Sequence, residues 1–191
     1  LHGVDNGVEN DARAWIVREN DSMDNPTAYE DYPNPEAQPV TMYLNGGAPK
    51  RGVLSLDKED NQGKETLVDN YSFSGSALAQ AEITNHRLIY ASPELTEDIH
   101  ISGTASVTIE VSANKPAANL SVWLVSLPWN DGYRSKITDN IITRGWADPQ
   151  NHSSLTEGEE LVPGEYYEVT FDLMPDDQVI PAGQQIGLMI F

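Results

Sequence analysis

The sequence has no cysteine and few basic residues, and each shortage removes classes of function. Without cysteine the chain has no disulfides, zinc thiolate sites or thiol nucleophiles. Eleven basic residues against thirty acidic ones give a formal net charge of -19, which repels phosphate backbones and anionic lipid. We therefore expect neither nucleic-acid nor membrane partners. The acidic surface is interpreted as a solubilising shell, with cation binding or attraction of a cationic substrate as the alternative.

The sequence also lacks long apolar runs and a leader. No apolar run approaches about 18 residues, the length expected of a membrane-spanning helix. The chain begins Leu-His-Gly, without an initiator methionine, and looks like the interior of a longer protein. A missing targeting signal therefore says nothing about the parent. The localisation stays unknown, with a bacterial protein, either cytoplasmic or exported, as the alternatives.

What the sequence does contain is a series of short apolar runs separated by turn residues. Apolar side chains alternate through 105–111, the period expected of a strand with one buried face. Residues 120–127 are almost continuously apolar, which predicts a central strand packed on both faces or under a loop. Further strands are predicted at 13–18, 40–44, 52–56, 87–91, 99–101, 141–144, 167–173 and 186–191, with a helical turn at 77–83 and an irregular surface excursion at 19–39.

Strands at this spacing, without a convincing amphipathic helix, predict an all-β fold. The turn residues Asn45, Gly46 and Gly47 make 40–44 and 52–56 a hairpin. A parallel α/β architecture would need crossover helices, which the sequence does not supply. The expected fold is an antiparallel jelly-roll β-sandwich of the galactose-binding-domain-like type, formed as a single domain.

Nothing in the sequence predicts a catalytic site. The nearest approach to a Gly-x-Ser-x-Gly elbow is Ser-Phe-Ser-Gly-Ser at 72–76, which lacks the flanking glycine. The four histidines, His2, His86, His100 and His152, are interpreted as structural or solvated, and His100 as an outward-facing strand residue. Phosphate-cradling glycine patterns are missing as well. We therefore predict no catalytic, cofactor-binding or metal-binding residues.

Two acidic stretches come near a metal-binding pattern but fall short of a motif. Counted from Asp57, glycine falls one place late for a calcium loop, and Val68 stands at position twelve, where a bidentate glutamate is needed. The other stretch is acidic by composition only. Weak cation binding stays open at both, the residues concerned being Asp57, Glu59, Asn61 and Glu65 in the first stretch and Asp148, Glu157, Glu159 and Glu160 in the second.

The four tryptophans, Trp15, Trp123, Trp129 and Trp146, suggest a rival function, since exposed aromatic rings stack on sugars. Trp123 lies in the most apolar strand and is predicted to be in the core. Trp129, shortly before Tyr133, is the best candidate for a loop aromatic. The alternatives for Trp129 are a plug that closes one end of the sandwich and a contact to another domain.

Several strings resemble the C-terminal domain of the Xaa-Pro dipeptidyl-peptidase and cocaine-esterase (CocE/NonD) serine hydrolases. Residues 90–103 are similar to the start of its jelly roll, and 105–111 with 120–127 to its next strand pair. Residues 142–165 resemble its Arg-Gly-Trp…Leu…Pro-Gly-Glu passage. Residues 181–188 resemble a later strand, with Gln184 and Gln185 where His and Arg are more usual, and 1–8 resemble the exit from the catalytic domain. The resemblance is weak between 19 and 81.

The resemblance implies a non-catalytic C-terminal domain of a larger enzyme. In that family a Ser-Asp-His triad lies in an upstream α/β-hydrolase domain, on which the sandwich packs and whose cleft for peptides or esters it helps to wall. It implies an exit segment at 1–10, first strands and surface excursions at 11–86, and a jelly-roll core at 87–191, with further strands expected beyond Phe191. His2 lies beyond the place of the catalytic histidine, so no triad residue carries over.

Two other functions stay open. The chain is alternatively a free-standing carbohydrate-binding module, which predicts a solvent-facing row of aromatic side chains. It is otherwise a structural module that only dimerises the enzyme. The resemblance predicts instead an apolar patch, with Trp129 or Tyr133 near it, that the catalytic domain covers.

Overall fold

The fold is nearly all β in the described part of the chain. This computed structural model describes residues 7, 14–18, 24, 26–48, 50–130 and 137–191. In these residues one α-helix, α1 (Gly75–Gln80), and two 3-10 helices, Ile137–Asn140 and Pro149–Asn151, accompany the strands. The strands are β1 (Ala14–Ile16), β2 (Thr27–Tyr29), β3 (Tyr43–Asn45), β4 (Gly52–Ser55), β5 (Leu88–Ala91), β6 (Ile99–Gly103), β7 (Ser106–Val111), β8 (Leu120–Leu127), β9 (Ile141–Ala147), β10 (Tyr167–Asp172), β11 (Asp176–Ile180) and β12 (Gln185–Ile190).

A six-stranded main sheet, ordered β3-β4-β5-β12-β8-β9, forms one layer of the molecule. The pair β7–β10 packs against it, and the pair β6–β11 adjoins β9, where Gln178 Nε2 donates to the Ile142 carbonyl at 3.2 Å. The strands β1 and β2 form a separate hairpin. Among the described strands each pair is antiparallel except β4–β5, which is parallel. The predicted all-β sandwich is confirmed.

The main sheet is apolar on both faces. Because side chains alternate along a strand, β5, β8 and β12 each send residues to either face. One set meets Val107 and Val169 of the β7–β10 pair and forms the core between the layers. The other set, including Val125, Leu127 and Met189, forms a second apolar cluster on the far side of the sheet. We call that far side the outer face.

The helix α1 lies on the outer face because β4 and β5 are parallel neighbours. A parallel pair needs a crossover connection, and residues 56–87 supply it and carry α1 across the second cluster. Ser74 begins the helix by accepting a hydrogen bond from the Ala77 amide at 3.2 Å. Gly75 then approaches the sheet so closely that a Cβ atom built on it would lie 2.5 Å from the Trp123 ring. Only glycine allows this contact between α1 and the sheet.

The structure departs from the predicted elements in two polar segments. The 19–39 stretch, predicted to be irregular, contains β2, and β11 lies where no strand is predicted. Neither strand has the apolar alternation that indicates a strand, since β2 follows Pro26 and β11 begins with two aspartates. The other predicted strands and the helical turn are confirmed, with ends shifted by a few residues. No helix in the described ranges is long and apolar enough to cross a membrane.

Candidate docking face and the Asp177 cluster

Part of the outer face stays exposed beside α1. Under the helix, the rings of Trp123 and Phe191 meet edge to face, with their centroids 5.0 Å apart. Trp146 lies on the same face, opposite Ser121 of the neighbouring strand, and is 63% exposed. Arg144, opposite Trp123, is exposed beside it. An exposed indole next to a covered apolar cluster is typical of a surface that another molecule or domain contacts.

A second group of exposed aromatic side chains precedes α1. The Phe73 ring lies 5.1 Å from the His86 imidazole, and Tyr71 is 97% exposed. His86 is held in turn by a 2.6 Å contact between its Nδ1 atom and the Val68 carbonyl oxygen. The apolar character of the outer face therefore extends into the crossover segment.

The outer face is also nearly free of acidic residues. The segments that supply the second cluster, α1 and Trp146 are 70–93, 120–130, 137–147 and 185–191. They make up more than a quarter of the chain but hold two of its thirty acidic residues, Glu82 and Asp139. They also carry the basic residues Arg87 and Arg144. The negative charge of the domain is thus concentrated elsewhere.

Arg87 fixes the C-terminal end of α1 on the outer face. Its side chain is 3% exposed, and it donates from Nε to the Leu78 carbonyl at 2.9 Å and from Nη2 to the Ala81 carbonyl at 2.5 Å. Burial lowers the pKa of Arg87, and the charge of Arg51 lowers it further. Its Nη1 atom is buried without a hydrogen-bond partner among the described residues. Arg87 therefore supplies hydrogen-bond donors to carbonyls at the C-terminal end of α1, where the last carbonyls have no partner within the helix.

A polar cluster lies on the outward side of the β6–β11 pair. Asp177 is 5% exposed, and its Oδ1 atom accepts hydrogen bonds from His100 Nε2 at 2.9 Å, Arg18 Nε at 3.2 Å and the Tyr29 hydroxyl at 3.3 Å. Arg18 Nη2 also donates to the Tyr29 hydroxyl at 2.9 Å. Arg18 follows β1 and Tyr29 ends β2. We call these four residues the Asp177 cluster, which fastens the β1–β2 hairpin to the β6–β11 pair.

The surroundings of Asp177 keep its carboxyl ionised. Burial by itself raises the pKa of Asp177, but the nearby Ser102 hydroxyl and the contacts with His100 and Arg18 outweigh burial and hold the pKa below its ordinary value. The neighbouring Asp176 has a raised pKa, because burial dominates there. Asp177 therefore acts as the anion that the Arg18 guanidinium needs in this partly buried place.

The Asp177–His100 pair resembles the acid–imidazole pair of a catalytic triad. His100 uses Nε2 for Asp177, so a nucleophile would have to bond Nδ1. Among the described residues no hydroxyl is hydrogen-bonded to that atom. The Ser102 hydroxyl, on the same strand, instead accepts from the Asn34 amide at 3.0 Å. The cluster is a fastening between elements, with charge-assisted hydrogen bonds as its strongest contacts.

The histidines singled out in the sequence have structural contacts where they are described. His100 lies on the outward side of β6, as predicted, in the Asp177 cluster. His152 contacts the Pro149 carbonyl through Nδ1 at 3.2 Å, and its ring centroid lies 4.5 Å from that of Tyr167. His2 lies outside the described residues.

The two acidic stretches do not converge on a common site. Glu65 accepts from the Gly47 and Ala48 amides at 2.6 and 2.7 Å, and from the Tyr90 hydroxyl at 2.6 Å. Asp148 begins a 3-10 helix by accepting from the Gln150 amide at 2.9 Å. Within the described ranges no group of three or more His, Asp or Glu side chains could hold a metal ion. The Glu65 and Asp148 carboxylates therefore stabilise loops.

The tryptophans divide between the outer face and the hairpin. Trp129 is half-buried against the second cluster, and Trp123 lies on that same face and not in the core between the layers. Trp146 is the exposed tryptophan of the outer face. Tyr133 lies outside the described residues. Alternation along β9, where Arg144 and Trp146 share a side, could have indicated this exposure from the sequence, whereas no local pattern indicates the Asp177 cluster.

Comparison with known sequences identifies one family. A family model described as "X-Pro dipeptidyl-peptidase C-terminal non-catalytic domain" matches residues 6–191. A relative from Rhodopirellula baltica, named "Putative Xaa-Pro dipeptidyl-peptidase", is 59% identical over 191 residues, which is 100% of this chain and 30% of the relative. A Bacillus anthracis relative of the same name is 33% identical over 195 residues, with the same coverage. The chain thus spans 30% of the length of these curated relatives.

Solved structures share the fold at low sequence identity. An aminopeptidase from the marine sediment archaeon Thaumarchaeota archaeon has a TM-score of 0.65 and 14% identity, over 87% of this chain and 31% of that one. A CocE/NonD family hydrolase from Staphylococcus aureus has a TM-score of 0.58 and 10% identity, over 87% and 30%. Because the family model matches nearly the whole sequence, the chain belongs to the X-Pro dipeptidyl-peptidase C-terminal non-catalytic domain family, as the sequence resemblance implied.

Proposed function

We propose that this chain packs on the catalytic domain of a serine hydrolase that releases N-terminal Xaa-Pro dipeptides, and helps to wall its substrate cleft. The family membership supports a non-catalytic role in a larger hydrolase, and the names of the relatives favour dipeptide release over ester cleavage. In this proposal residues 1–10 lead out of the catalytic domain, 11–86 add the first strands, and 87–191 form a jelly-roll core.

The observation that carries this proposal is the character of the outer face. A domain with a net charge of -19 would gain solubility from acidic side chains on each exposed surface. The outer face is instead nearly free of them and exposes Trp146 beside a covered apolar cluster. Apolar patches of this kind mark places where a protein contacts another surface. We therefore assign the outer face to the contact with the catalytic domain.

A charge placed on this face tests the assignment. Trp146→Glu in the full-length enzyme is expected to weaken the contact, because the new carboxylate would have to be buried without a partner. Displacement of the domain is expected to lower kcat/KM on an Xaa-Pro chromogenic peptide by roughly tenfold or more. Steady-state kinetics, with the melting profile of the same sample, measure both effects.

Leu155→Glu is the matched control. Leu155 is 92% exposed and lies outside the segments of the outer face, so the same apolar-to-acidic change is expected to leave kcat/KM unaltered. If the Trp146 and Leu155 variants behave alike, the outer face is not the contact surface and this assignment fails.

The exposed indole of Trp146 also fits the carbohydrate-binding alternative. That function predicts that the full-length protein is retained on insoluble polysaccharide and that Trp146→Glu abolishes retention, with Leu155→Glu again as control. The docking assignment predicts no retention for any of the three proteins. Retention that depends on Trp146 would favour the sugar-binding function.

A further inference from the structure

The β1–β2 hairpin has two sides of different chemistry. Arg18 and Tyr29 point towards the β6–β11 pair, where both donate hydrogen bonds to Asp177. Trp15 and Val17 alternate with them and point away from the pair. Trp15 is 57% exposed and Val17 is 48% exposed, so the hairpin carries an apolar pair on its outward side.

Polar contacts attach the hairpin to the sandwich, in addition to the partly buried Ala14 and Ile16 and the buried Tyr29 on its inward side. None of its described residues belongs to either apolar cluster of the sandwich. The attachment instead passes through the Asp177 cluster and continues into the next segment. There the Tyr32 hydroxyl donates to the Asp176 carbonyl at 3.0 Å, and the Asn34 amide donates to the Ser102 hydroxyl. An isolated two-stranded hairpin is marginally stable in water, so its position depends on these bonds.

The curated relatives of this chain are much longer than the chain itself. Since 191 residues cover 30% of a curated relative, about 450 residues lie outside the match, enough for two or more domains of ordinary size. The family description places the matched domain at the C-terminal end. An upstream part of that size is large enough to contact the hairpin as well as the outer face.

We propose that the β1–β2 hairpin is an interdomain strap. The Asp177 cluster fastens its inward side to the sandwich, and Trp15 and Val17 on its outward side contact the upstream part of the same protein. This proposal rests on the proposed function only in requiring that an upstream part exists. Asp177 is then a positioning residue: it touches no substrate, but it holds the surface on which the upstream part sits.

Cysteine labelling of the full-length enzyme tests the outward contact. The chain has no cysteine, so Val17→Cys introduces one thiol into it, and mass spectrometry of the peptide that contains residue 17 separates its label from upstream thiols. Val162→Cys is the matched control, because Val162 is 50% exposed and Val17 48%. We expect a maleimide to modify residue 17 at least tenfold more slowly than residue 162. Equal rates would overturn the proposal.

A second arm tests the fastening. Asp177→Asn, added to Val17→Cys, removes the ionised partner of Arg18 and is expected to raise the labelling rate of residue 17 at least threefold. Asp172→Asn, an exposed position on β10, is the control and is expected to leave the rate unchanged. If Asp177→Asn does not fold, as judged by circular dichroism, Arg18→Met breaks the same contact from the hairpin side. Protection that survives loss of the Asp177–Arg18 contact would overturn the strap.

The two proposals fail in different experiments. Slow labelling of residue 17 that Asp177→Asn relieves, together with an inert Trp146→Glu variant, would keep the strap and remove the outer-face contact. Fast labelling of residue 17 together with a damaging Trp146→Glu variant would do the reverse.

Discussion

Two surfaces of the molecule are each covered by a segment of the chain. The helix α1 covers part of the outer face of the main sheet, and the β1–β2 hairpin covers the outward side of the β6–β11 pair. Different interactions hold these two segments in place. The helix α1 lies on buried apolar side chains, among them Val125, Leu127 and Met189. The β1–β2 hairpin is held by bonds that meet at the Asp177 carboxylate. Burial of apolar surface stabilises the position of α1, and this effect does not depend on the direction of individual contacts. The position of the hairpin depends on one ionised group and its geometry.

This difference determines how the stability of α1 and of the β1–β2 hairpin responds to substitution and to pH. Apolar burial is spread over many contacts and is independent of pH, so a single substitution weakens α1 in proportion to the volume removed. The Asp177 cluster is concentrated in one side chain, so one substitution removes several hydrogen bonds at once. The following three predictions test this contrast, from the largest expected effect to the smallest.

Met189→Ala should give the largest loss of stability. Met189 is fully buried in the second cluster, and its truncation would leave a cavity beneath α1. We expect the free energy of unfolding to fall by about 2–5 kcal/mol, measured by urea denaturation. Met174→Ala, at an exposed methionine, is the control and should change it by less than about 0.5 kcal/mol. Similar losses in both variants would show that the outer face is not a packed core.

Asp177→Asn should lower the free energy of unfolding at pH 7 by about 1–3 kcal/mol, because Arg18 and His100 lose their ionised acceptor. The pKa of Asp177 is lowered in the folded protein, so its carboxylate stabilises the fold above the ordinary aspartate pKa. That contribution disappears as pH falls from about 4 through the lower folded value. The variant should therefore lose less stability than the wild type on acidification below about pH 4.

Denaturation curves at pH 7, 4 and 3 measure this difference, with Asp172→Asn as the control. Because Asp172 is exposed, its variant is expected to follow the wild-type pH dependence. Parallel pH dependence of the wild type and Asp177→Asn would mean that the cluster does not depend on an ionised Asp177.

Trp146→Ser should have the smallest effect on the 191-residue chain, within about 0.5 kcal/mol, because the indole is 63% exposed there. Trp123→Ser, on the neighbouring strand under Gly75, is expected to cost more than about 1 kcal/mol in the same urea assay. A large loss from Trp146→Ser would assign the outer edge of the face to the core of the domain and leave no free surface for docking.

The fold was predictable where apolar side chains determine it. Strand β8 lies at Leu120–Leu127, as its continuous apolar run predicts, and β7 follows from strict alternation. Strand β11 escaped prediction because Asp177 faces the hairpin and Gln178 bonds the Ile142 carbonyl, so polar residues occupy both of its sides. The alternation of apolar residues predicts strands that bury apolar side chains. It does not predict strands whose buried side chains are polar and hydrogen-bonded.

The sites were less predictable than the fold, because long-range pairing assembles them. The Asp177 cluster joins residues 159 positions apart in the sequence, and neither Arg18 nor Asp177 has a local pattern that points to the other. The acid-poor outer face was visible as segments with few acidic residues, but those segments are scattered along the chain. The sheet order β5-β12-β8-β9 is what gathers them on one surface.

The contacts of the Glu65 carboxylate affect how the connection between β4 and β5 tolerates added residues. By accepting bonds from Gly47, Ala48 and Tyr90, it pins the long connection between β4 and β5 at an interior point. Closure entropy then acts on two shorter loops, and doubling the length of either costs only about 0.6 kcal/mol. Residues inserted between Leu56 and Glu65 would lengthen one loop and leave the α1 crossover in place. A single anchored carboxylate thus makes the 56–65 loop a place where added residues leave the outer face unmoved.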